Sequence, residues 1–149
     1  MKKIFKRDFK RNDTRSLFLY GYNEHTETAS KQLNITPAPT PNIRWNPSRQ
    51  EWVTYSPTRK IRTAFPPKEY CPLCPGAELN FPTEIPFKNF EVAIFPNRWA
   101  SFNTSKEQTY IDGLNGKPAN GECEVVVYSP NHLDTIAQMP LERIELLFN

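Results

Sequence analysis

The sequence predicts an α+β fold, because segments typical of β-strands come first and a segment of helical periodicity follows them. Three segments combine β-branched and aromatic residues with bounding proline, asparagine or glycine: residues 51–55, 90–95 and 123–129. After Pro140, apolar residues recur at helical spacing as far as Phe148. A chain of 149 residues with 38% hydrophobic content is large enough for one domain with its own core.

The first organised element is predicted to be a β-hairpin over residues 44–57. Its turn falls at residues 46–49, Asn-Pro-Ser-Arg, because these residue types favour tight turns, and a β-rich strand follows. Residues 1–42 are expected to be an irregular leader, basic at first and then rich in proline. The organised domain is therefore expected to span residues 43–149.

The strand at residues 123–129 is expected to lie in the middle of its sheet, covered by helices, because its valines are almost continuous. The helix that starts behind Pro140 has neither a capping glycine nor a following proline before Asn149. This pattern indicates that the chain is the N-terminal part of a longer protein.

Composition and charge narrow the classes of protein to be considered. The net charge is only +3, but the first fifteen residues carry seven basic and two acidic side chains. Such a segment is typical of a solvated terminus, and also of an arm that binds nucleic acid or an anionic ligand. No apolar run approaches the roughly 18 residues of a membrane span, and none follows the N-terminal charges as in a secretion signal. Three cysteines, an odd number, argue against a secreted disulfide framework, so a reducing, cytoplasmic location is expected.

Cys71 and Cys74 form a Cys-x-x-Cys motif within the stretch EYCPLCPGAE. Two thiolates at this spacing can chelate one zinc ion from a tight loop, which the neighbouring prolines would stiffen and Gly76 would help to turn. The same spacing occurs in redox pairs, but such a pair opens a helix, and the prolines disfavour a helix here. A metal site is the favoured interpretation, with redox chemistry and incidental cysteines as alternatives.

A zinc site needs four ligands, and the chain offers few candidates. His132 follows a strand end in VVVYSPNH, where a loop can aim an imidazole at the cysteines, although an isolated histidine there is also typical of a surface group. His25 lies in a polar stretch and is expected to be solvated. Cys123 shares a strand face with valines, which is typical of a buried, unreactive thiol. Three ligands are thus predicted, Cys71, Cys74 and His132, without a fourth.

Arg59 and Arg62 form a second group of candidate residues, in the loop SPTRKIR. Two guanidinium groups a few residues apart suit a phosphate or diphosphate, because each can donate two hydrogen bonds to its oxygens. A solvated loop is the alternative. Asn97 ends the second strand behind a proline, where its amide can pair with the edge of a nucleobase or simply close a turn.

Four motifs follow one another along the chain: RWNPSRQEWVTYSPTRKIR, CPLC followed by PG, IFPN, and GECEVVVYSPNH. In this order they resemble the motifs of galactose-1-phosphate uridylyltransferases, from about Arg44 to the end of the chain. The resemblance implies a fold related to the histidine-triad superfamily, an antiparallel sheet with packed helices. It also implies a homodimeric enzyme that moves UMP between UDP-glucose and galactose 1-phosphate.

The resemblance further implies roles for particular residues. The zinc ligands would be Cys71, Cys74 and His132. Arg59 and Arg62 would contact nucleotide phosphates across the dimer interface, and Asn97 would contact the uridine.

One departure from the family pattern concerns the nucleophile. In the family it lies in a His-Pro-His segment whose first histidine is the fourth zinc ligand, and this sequence contains no His-x-His. Transfer through a nucleotidyl-histidine requires such an imidazole, so no catalytic residue is expected in this chain, which should be inactive alone. Three alternatives stay open: a relative that uses ADP-sugars, a zinc-ribbon-like module that binds nucleic acid, and an inactive structural relic.

Overall fold

The computed structural model describes most of the chain, which divides into two compact units. The described residues are 2–32, 34, 40–56, 66–76, 78–79, 81–102, 104 and 115–149. One unit comprises Met1–Ile35, Ala64–Phe95 and Val125–Asn149, and the second comprises Thr36–Thr63 and Pro96–Glu124.

Strands dominate both units. In the described part of the chain the elements are β1 (Phe5–Lys10), β2 (Ser16–Gly21), β3 (Asn42–Asn46), β4 (Glu51–Tyr55), β5 (Val92–Pro96), β6 (Gly116–Pro118), β7 (Glu124–Val127) and α1 (Leu141–Phe148). Short 3₁₀ helices cover Lys68–Tyr70 and Ile136–Gln138. The strands form a four-stranded sheet in the order β1-β2-β5-β7 and a three-stranded sheet in the order β4-β3-β6. Antiparallel pairs and a helix make the protein α+β, as predicted.

The core of the first unit is built around β2, because its side chains alternate between the two faces of the sheet. Leu17 and Leu19 point inward and are completely or almost completely buried. They pack with apolar residues from the segment that leads into β5 and from β5 itself: Ile85, Phe87, Phe90, Ala93 and Phe95. The ring of Phe9 in β1 meets Phe87 edge-on, with the ring centroids 5.0 Å apart.

The prediction of an irregular leader over residues 1–42 is therefore wrong for β1 and β2. The charged residues of β1 hide the alternation between its two faces, and β2 has only a short apolar run, which is a weak strand signal. Basic residues of this segment also bond to other parts of the fold. Arg7 donates to the carbonyl oxygens of His25 and Glu27 at 3.2 and 2.6 Å and lies over the Phe87 ring. The division of the chain at residue 42 stays a prediction.

The strand β7 ends the four-stranded sheet among the described residues, which corrects the prediction of a central, doubly covered strand. Val125 and Val127 pack against the core cluster, whereas Val126 points away and is 47% exposed. The valines of β7 therefore alternate between a buried face and an exposed face of the sheet. The strand predicted at residues 90–95 is confirmed as β5, beginning two residues later than expected.

The helix predicted behind Pro140 is confirmed as α1. The carbonyl oxygen of Pro140 accepts the N–H groups of Arg143 and Ile144, and Leu146 is buried against the first unit. Arg143 also donates to the carbonyl oxygens of Glu91 and Tyr128, at 2.7 and 3.0 Å. Within the described residues, no helix combines the length and the apolar character that a membrane span requires.

The second unit contains the predicted hairpin, formed by β3 and β4. Its register runs from Asn42 opposite Tyr55 to Asn46 opposite Glu51. The side-chain oxygen of Asn46 accepts the N–H groups of Ser48 and Arg49 at 3.1 and 3.4 Å, which is the turn chemistry that the sequence indicated. The hairpin prediction is confirmed.

Candidate metal centre

Cys71, Cys74 and His132 meet in the first unit. One ligand atom from each lies within 4.8 Å of the other two, and Cys74 Sγ is 3.3 Å from His132 Nδ1. The prediction that His132 faces the two cysteines is confirmed. Among the described residues, no further cysteine, histidine or carboxylate joins this group.

Two loops supply the three side chains. Cys71 directly follows the 3₁₀ helix Lys68–Tyr70, where its N–H donates to the Lys68 carbonyl oxygen at 3.2 Å. Residues 71–76, which we call the metal loop, then turn so that both sulfurs face the same side. His132 lies in the loop that follows β7, braced where the Asn131 N–H donates to Ser129 Oγ at 3.1 Å. A strand end thus aims the imidazole, as the sequence indicated.

The metal loop is held from outside by the segment Thr83–Ile85. The Thr83 hydroxyl donates to the Cys74 carbonyl oxygen at 2.5 Å, and the Glu84 N–H donates to the Pro72 carbonyl oxygen at 2.9 Å. The Gly76 N–H donates to the Ile85 carbonyl oxygen at 2.8 Å. These three bonds fix the loop's backbone at its start, at the second cysteine and at its end.

Gly76 is required by this close approach. A Cβ at this position would lie 2.9 Å from Thr83 Oγ1 and 3.0 Å from the Thr83 backbone nitrogen. Any larger residue would therefore push the metal loop away from the segment that holds it. The glycine's role is to permit backbone contact, in addition to the turn expected from the sequence.

The electrostatics of the centre disfavour a free thiolate. Cys71 and Cys74 are only 7% and 5% exposed. Burial, and then the hydrogen bond and the negative charge of the neighbouring Cys71, raise the pKa of Cys74 to about 12. A thiol with a raised pKa keeps its proton at neutral pH unless a metal ion binds it, so Cys74 itself does not act as a free nucleophile.

The donor set fits a soft divalent metal such as zinc. Two sulfurs and one imidazole nitrogen are ligands that zinc prefers, with bonds of roughly 2.3 Å to sulfur and 2.0–2.1 Å to nitrogen. In a tetrahedral site with those bonds, sulfur and nitrogen ligands lie about 3.6 Å apart. The observed separation of 3.3 Å between Cys74 Sγ and His132 Nδ1 is close to that value. Cys71, Cys74 and His132 could therefore hold a metal ion.

Of the three predicted substrate-binding residues, the structure describes one, Asn97. Arg59 and Arg62 lie outside the described residues. Asn97 lies just after β5, where its N–H donates to the Cys123 carbonyl oxygen at 2.8 Å and its side-chain oxygen accepts the Trp99 N–H at 2.9 Å. Its side-chain oxygen thus closes a local turn, which was the simpler of the two expectations.

Sequence reasoning missed the residues behind the metal loop. Glu84 sits between prolines and apolar residues in FPTEIPF, and a charge in such a setting needs a buried partner. The partners are Arg11 and Arg15, whose guanidinium groups each lie 2.6 Å from Glu84 Oε2. An isolated acidic residue in an apolar stretch was the signal that could have revealed this pairing.

The fold and the centre define an α+β protein with a candidate metal site made from a Cys-x-x-Cys loop and a distant histidine. Residues 31–149 match the family model described as galactose-1-phosphate uridyl transferase, N-terminal domain. The chain belongs to this family, so the resemblance drawn from its motifs is confirmed. It is also 34% identical over 110 residues to the galactose-1-phosphate uridylyltransferase of Thermotoga maritima.

That alignment covers 70% of this chain and 32% of the Thermotoga maritima protein. The chain therefore spans about a third of the length of that relative. No solved structure matches the chain at a significant level.

Proposed function

We propose that this chain is part of a nucleotidyltransferase that moves UMP between UDP-glucose and galactose 1-phosphate. Membership of the uridylyltransferase family supports the reaction class. The observation that carries the proposal is the meeting of Cys71, Cys74 and His132 within 4.8 Å, because these residues come from two separate family-like motifs. Distant motif residues that converge on one site indicate a working centre.

The ion proposed for this centre is zinc. When bound, it would supply a positive charge that stabilises the thiolates and a link between the metal loop and the loop after β7. Cys71 and Cys74 would each lose a proton on binding. His132 would bind as the neutral imidazole through Nδ1, the nitrogen that faces Cys74. The residues of this chain would thus shape the site rather than react in it.

Substrate recognition is proposed for three residues. Arg59 and Arg62 would donate to the phosphates of the nucleotide sugar, across the interface of a homodimer. Asn97 would contact the uridine. Because the Asn97 side-chain oxygen already accepts the Trp99 N–H, we expect its NH₂ group to be the part that meets the uracil.

Transfer is proposed to run through a nucleotidyl-histidine. An imidazole nitrogen attacks the α-phosphorus of UDP-glucose, and the bond to glucose 1-phosphate breaks. Galactose 1-phosphate then attacks the same phosphorus, which releases the histidine and forms UDP-galactose. Neither histidine of this chain is assigned that role.

The surroundings of the two histidines support this exclusion. Arg7 lies 2.8 Å from Nδ1 of His25, and the carbonyl oxygen of Asn89 lies 2.6 Å from its Nε2, so both ring nitrogens are occupied. The His25 ring also packs edge-on against Phe87. His132 faces Cys74 in the proposed zinc site. No catalytic residue is therefore proposed within this chain, which should be inactive alone.

Three broader features complete the proposal. We place the protein's fold near the histidine-triad superfamily, with further helices packed on the sheet. The working enzyme is proposed to be a cytoplasmic homodimer. A zinc-ribbon-like nucleic-acid module finds less support, because Arg7, Arg11 and Arg15 of the basic segment are engaged with other residues of the fold.

The test uses the product of the whole reading frame that contains this sequence. With galactose 1-phosphate as acceptor, UDP-glucose should be consumed faster than ADP-glucose; faster consumption of ADP-glucose would establish the ADP-sugar alternative. No turnover of either, with salt-dependent binding of nucleic acid, would establish the binding module. The 149-residue chain alone, given labelled UDP-glucose, should yield no nucleotidylated protein. Label on His25 or His132 would show that the nucleophile has been misassigned.

A further inference from the structure

The segment Thr83–Ile85, which fixes the metal loop, is itself held by a buried cluster of charges. The Glu84 side chain is 3% exposed and that of Arg11 is 2% exposed. Arg11 Nη1 donates to both the Glu84 carboxylate, at 2.6 Å, and the Glu84 backbone carbonyl oxygen, at 2.8 Å. Arg15 donates to the same carboxylate oxygen at 2.6 Å. Both the backbone and the side chain of Glu84 are therefore fixed in place.

The arginines come from the turn that joins β1 to β2. Within this turn the Arg11 N–H donates to the Arg15 carbonyl oxygen, and the Thr14 N–H donates to the Arg11 carbonyl oxygen, at 3.0 and 3.1 Å. Asp13 accepts from Arg15 at 2.9 Å and lies 3.6 Å from Arg11. Thr14 has a φ of 69°, a conformation that a β-branched residue rarely adopts. A turn held in such a conformation is specified by its surroundings.

The contacts of Glu84 and Thr83 end on the metal loop itself. The Glu84 N–H reaches the carbonyl oxygen of Pro72, and the Thr83 hydroxyl reaches that of Cys74. A shift of this segment would therefore move the two sulfurs relative to His132. Core residues such as Leu17 stabilise the unit without bonding to the loop.

We propose that the β1–β2 turn positions the metal centre through Glu84 and thereby sets its metal affinity. Arg11, Thr83 and Glu84 are positioning residues in this scheme, since they act through Cys71 and Cys74. The inference rests on the proposed metal site. It gives a function to residues 11–15, which precede the matched range 31–149. It also adds residues to the metal centre that are not themselves ligands.

The experiment compares metal binding by the chain and three variants, using zinc in competition with a chromophoric chelator and cobalt as a spectroscopic probe. Glu84→Gln keeps the shape of the side chain and removes its charge. Thr83→Val keeps the volume and removes the hydroxyl that bonds to Cys74. Asp8→Asn is the matched control, because Asp8 lies on β1 in an exposed pair with Lys6.

Substitutions behind metal ligands typically weaken metal binding by about 10–100-fold. We expect a loss of this size for Glu84→Gln and, at its lower end, for Thr83→Val, with an altered cobalt ligand-field spectrum in both. Asp8→Asn should bind like the unaltered chain. Circular dichroism and a urea titration establish that each variant is folded where affinity is measured.

The outcomes separate the two proposals. If the unaltered chain binds neither metal, the proposed zinc site fails. If it binds and folded Glu84→Gln binds equally well with an unchanged cobalt spectrum, the positioning role is overturned. Should Glu84→Gln fail to fold, Thr83→Val decides, because it leaves the ion pairs intact: equal affinity overturns the inference and weaker affinity with a changed spectrum supports it.

Discussion

The metal loop and the β3–β4 hairpin are both held by hydrogen bonds, but the bonds come from different places. The loop is fixed by Thr83–Ile85, which are fixed in turn by residues 11–15, and the side chains of Arg11, Thr83 and Glu84 are buried. The two strands of the hairpin are joined by their own register and by Asn46 in the turn, and β3 also pairs with β6 on its other side. The comparison shows that the metal loop draws on buried polar groups far away in the sequence, whereas the turn of the hairpin is closed by its own residues.

The hairpin also leaves its large side chains open to solvent. Trp52, Val53 and Tyr55 are each more than two-fifths exposed, whereas Phe87 of the first unit is fully buried. Stability should therefore respond very differently to substitutions in the two regions.

Phe87→Ala should cause the largest loss of stability. It removes a ring that packs with Phe9 and the core cluster, and a change of this kind typically costs about 3–5 kcal/mol. Val53→Ala on the hairpin should change the free energy of unfolding by no more than about 0.5 kcal/mol. Urea unfolding monitored by far-ultraviolet circular dichroism measures both, because this signal reports the strands of both units. Similar losses of unfolding free energy in the two variants would contradict the expected difference between the two regions.

Cys74→Ala should weaken zinc binding by more than about 100-fold, beyond the range of changes behind the ligands. The reason is the loss of a sulfur that lies 3.3 Å from His132 Nδ1. Cys123→Ala is the matched control, since Cys123 is the third cysteine and lies outside the cluster. Competition with a chelator measures both affinities. A comparable loss in the control would place the metal elsewhere.

Replacing Arg59 and Arg62 together with alanine should lower kcat/KM for UDP-glucose by more than about tenfold, or about 1.4 kcal/mol of transition-state stabilisation. The physical reason is the loss of donors to the phosphates. The measurement requires the product of the whole reading frame. Unchanged kinetics would favour the alternative of a solvated loop and leave the metal centre and Asn97 as the functional features proposed in this chain.

Acid should weaken the buried charge cluster, and this effect on the free energy of unfolding should be smaller than that of Phe87→Ala. Burial raises the pKa of Asp13, but its hydrogen bonds and attraction to Arg15, and then its attraction to Arg11, outweigh burial and leave the pKa below its ordinary value. A lowered pKa in the folded state stabilises the protein above about pH 4, and that contribution is lost as the pH falls through the folded value. Asp13→Asn should therefore flatten the decline in unfolding free energy below about pH 4. An unchanged decline would show that Asp13 does not contribute to the stability of the charge cluster.

Local patterns explain which predictions from the sequence succeeded. The β3–β4 turn needed only residues 46–49, and α1 needed only its periodicity behind Pro140. The meeting of Cys71, Cys74 and His132 could be predicted because Cys-x-x-Cys and a histidine at a strand end are compact motifs. In each case the information lies within a few positions of sequence.

Long-range pairing explains what was missed. The setting of Glu84 indicates a buried partner, but Arg11 lies 73 positions away and nothing in the sequence near Glu84 identifies it. The edge position of β7 could not be found from its valines, because the place of a strand in a sheet depends on which distant strands pair with it. Thr83 gave no signal at all, since its importance lies in one hydroxyl bond to a backbone carbonyl.

The spacing of these contacts along the chain has a consequence for the order of events during folding. Arg11 and Glu84 are 73 positions apart, and Cys74 and His132 are 58 apart. Contacts of such separation close long loops and form slowly, whereas an isolated hairpin forms within roughly 1–10 μs. We therefore expect the arginines of the β1–β2 turn to stay in water until Glu84 reaches them, and the histidine to join the cysteines only after β7 has docked. A metal ion present from the start of folding would therefore first meet a flexible pair of thiols.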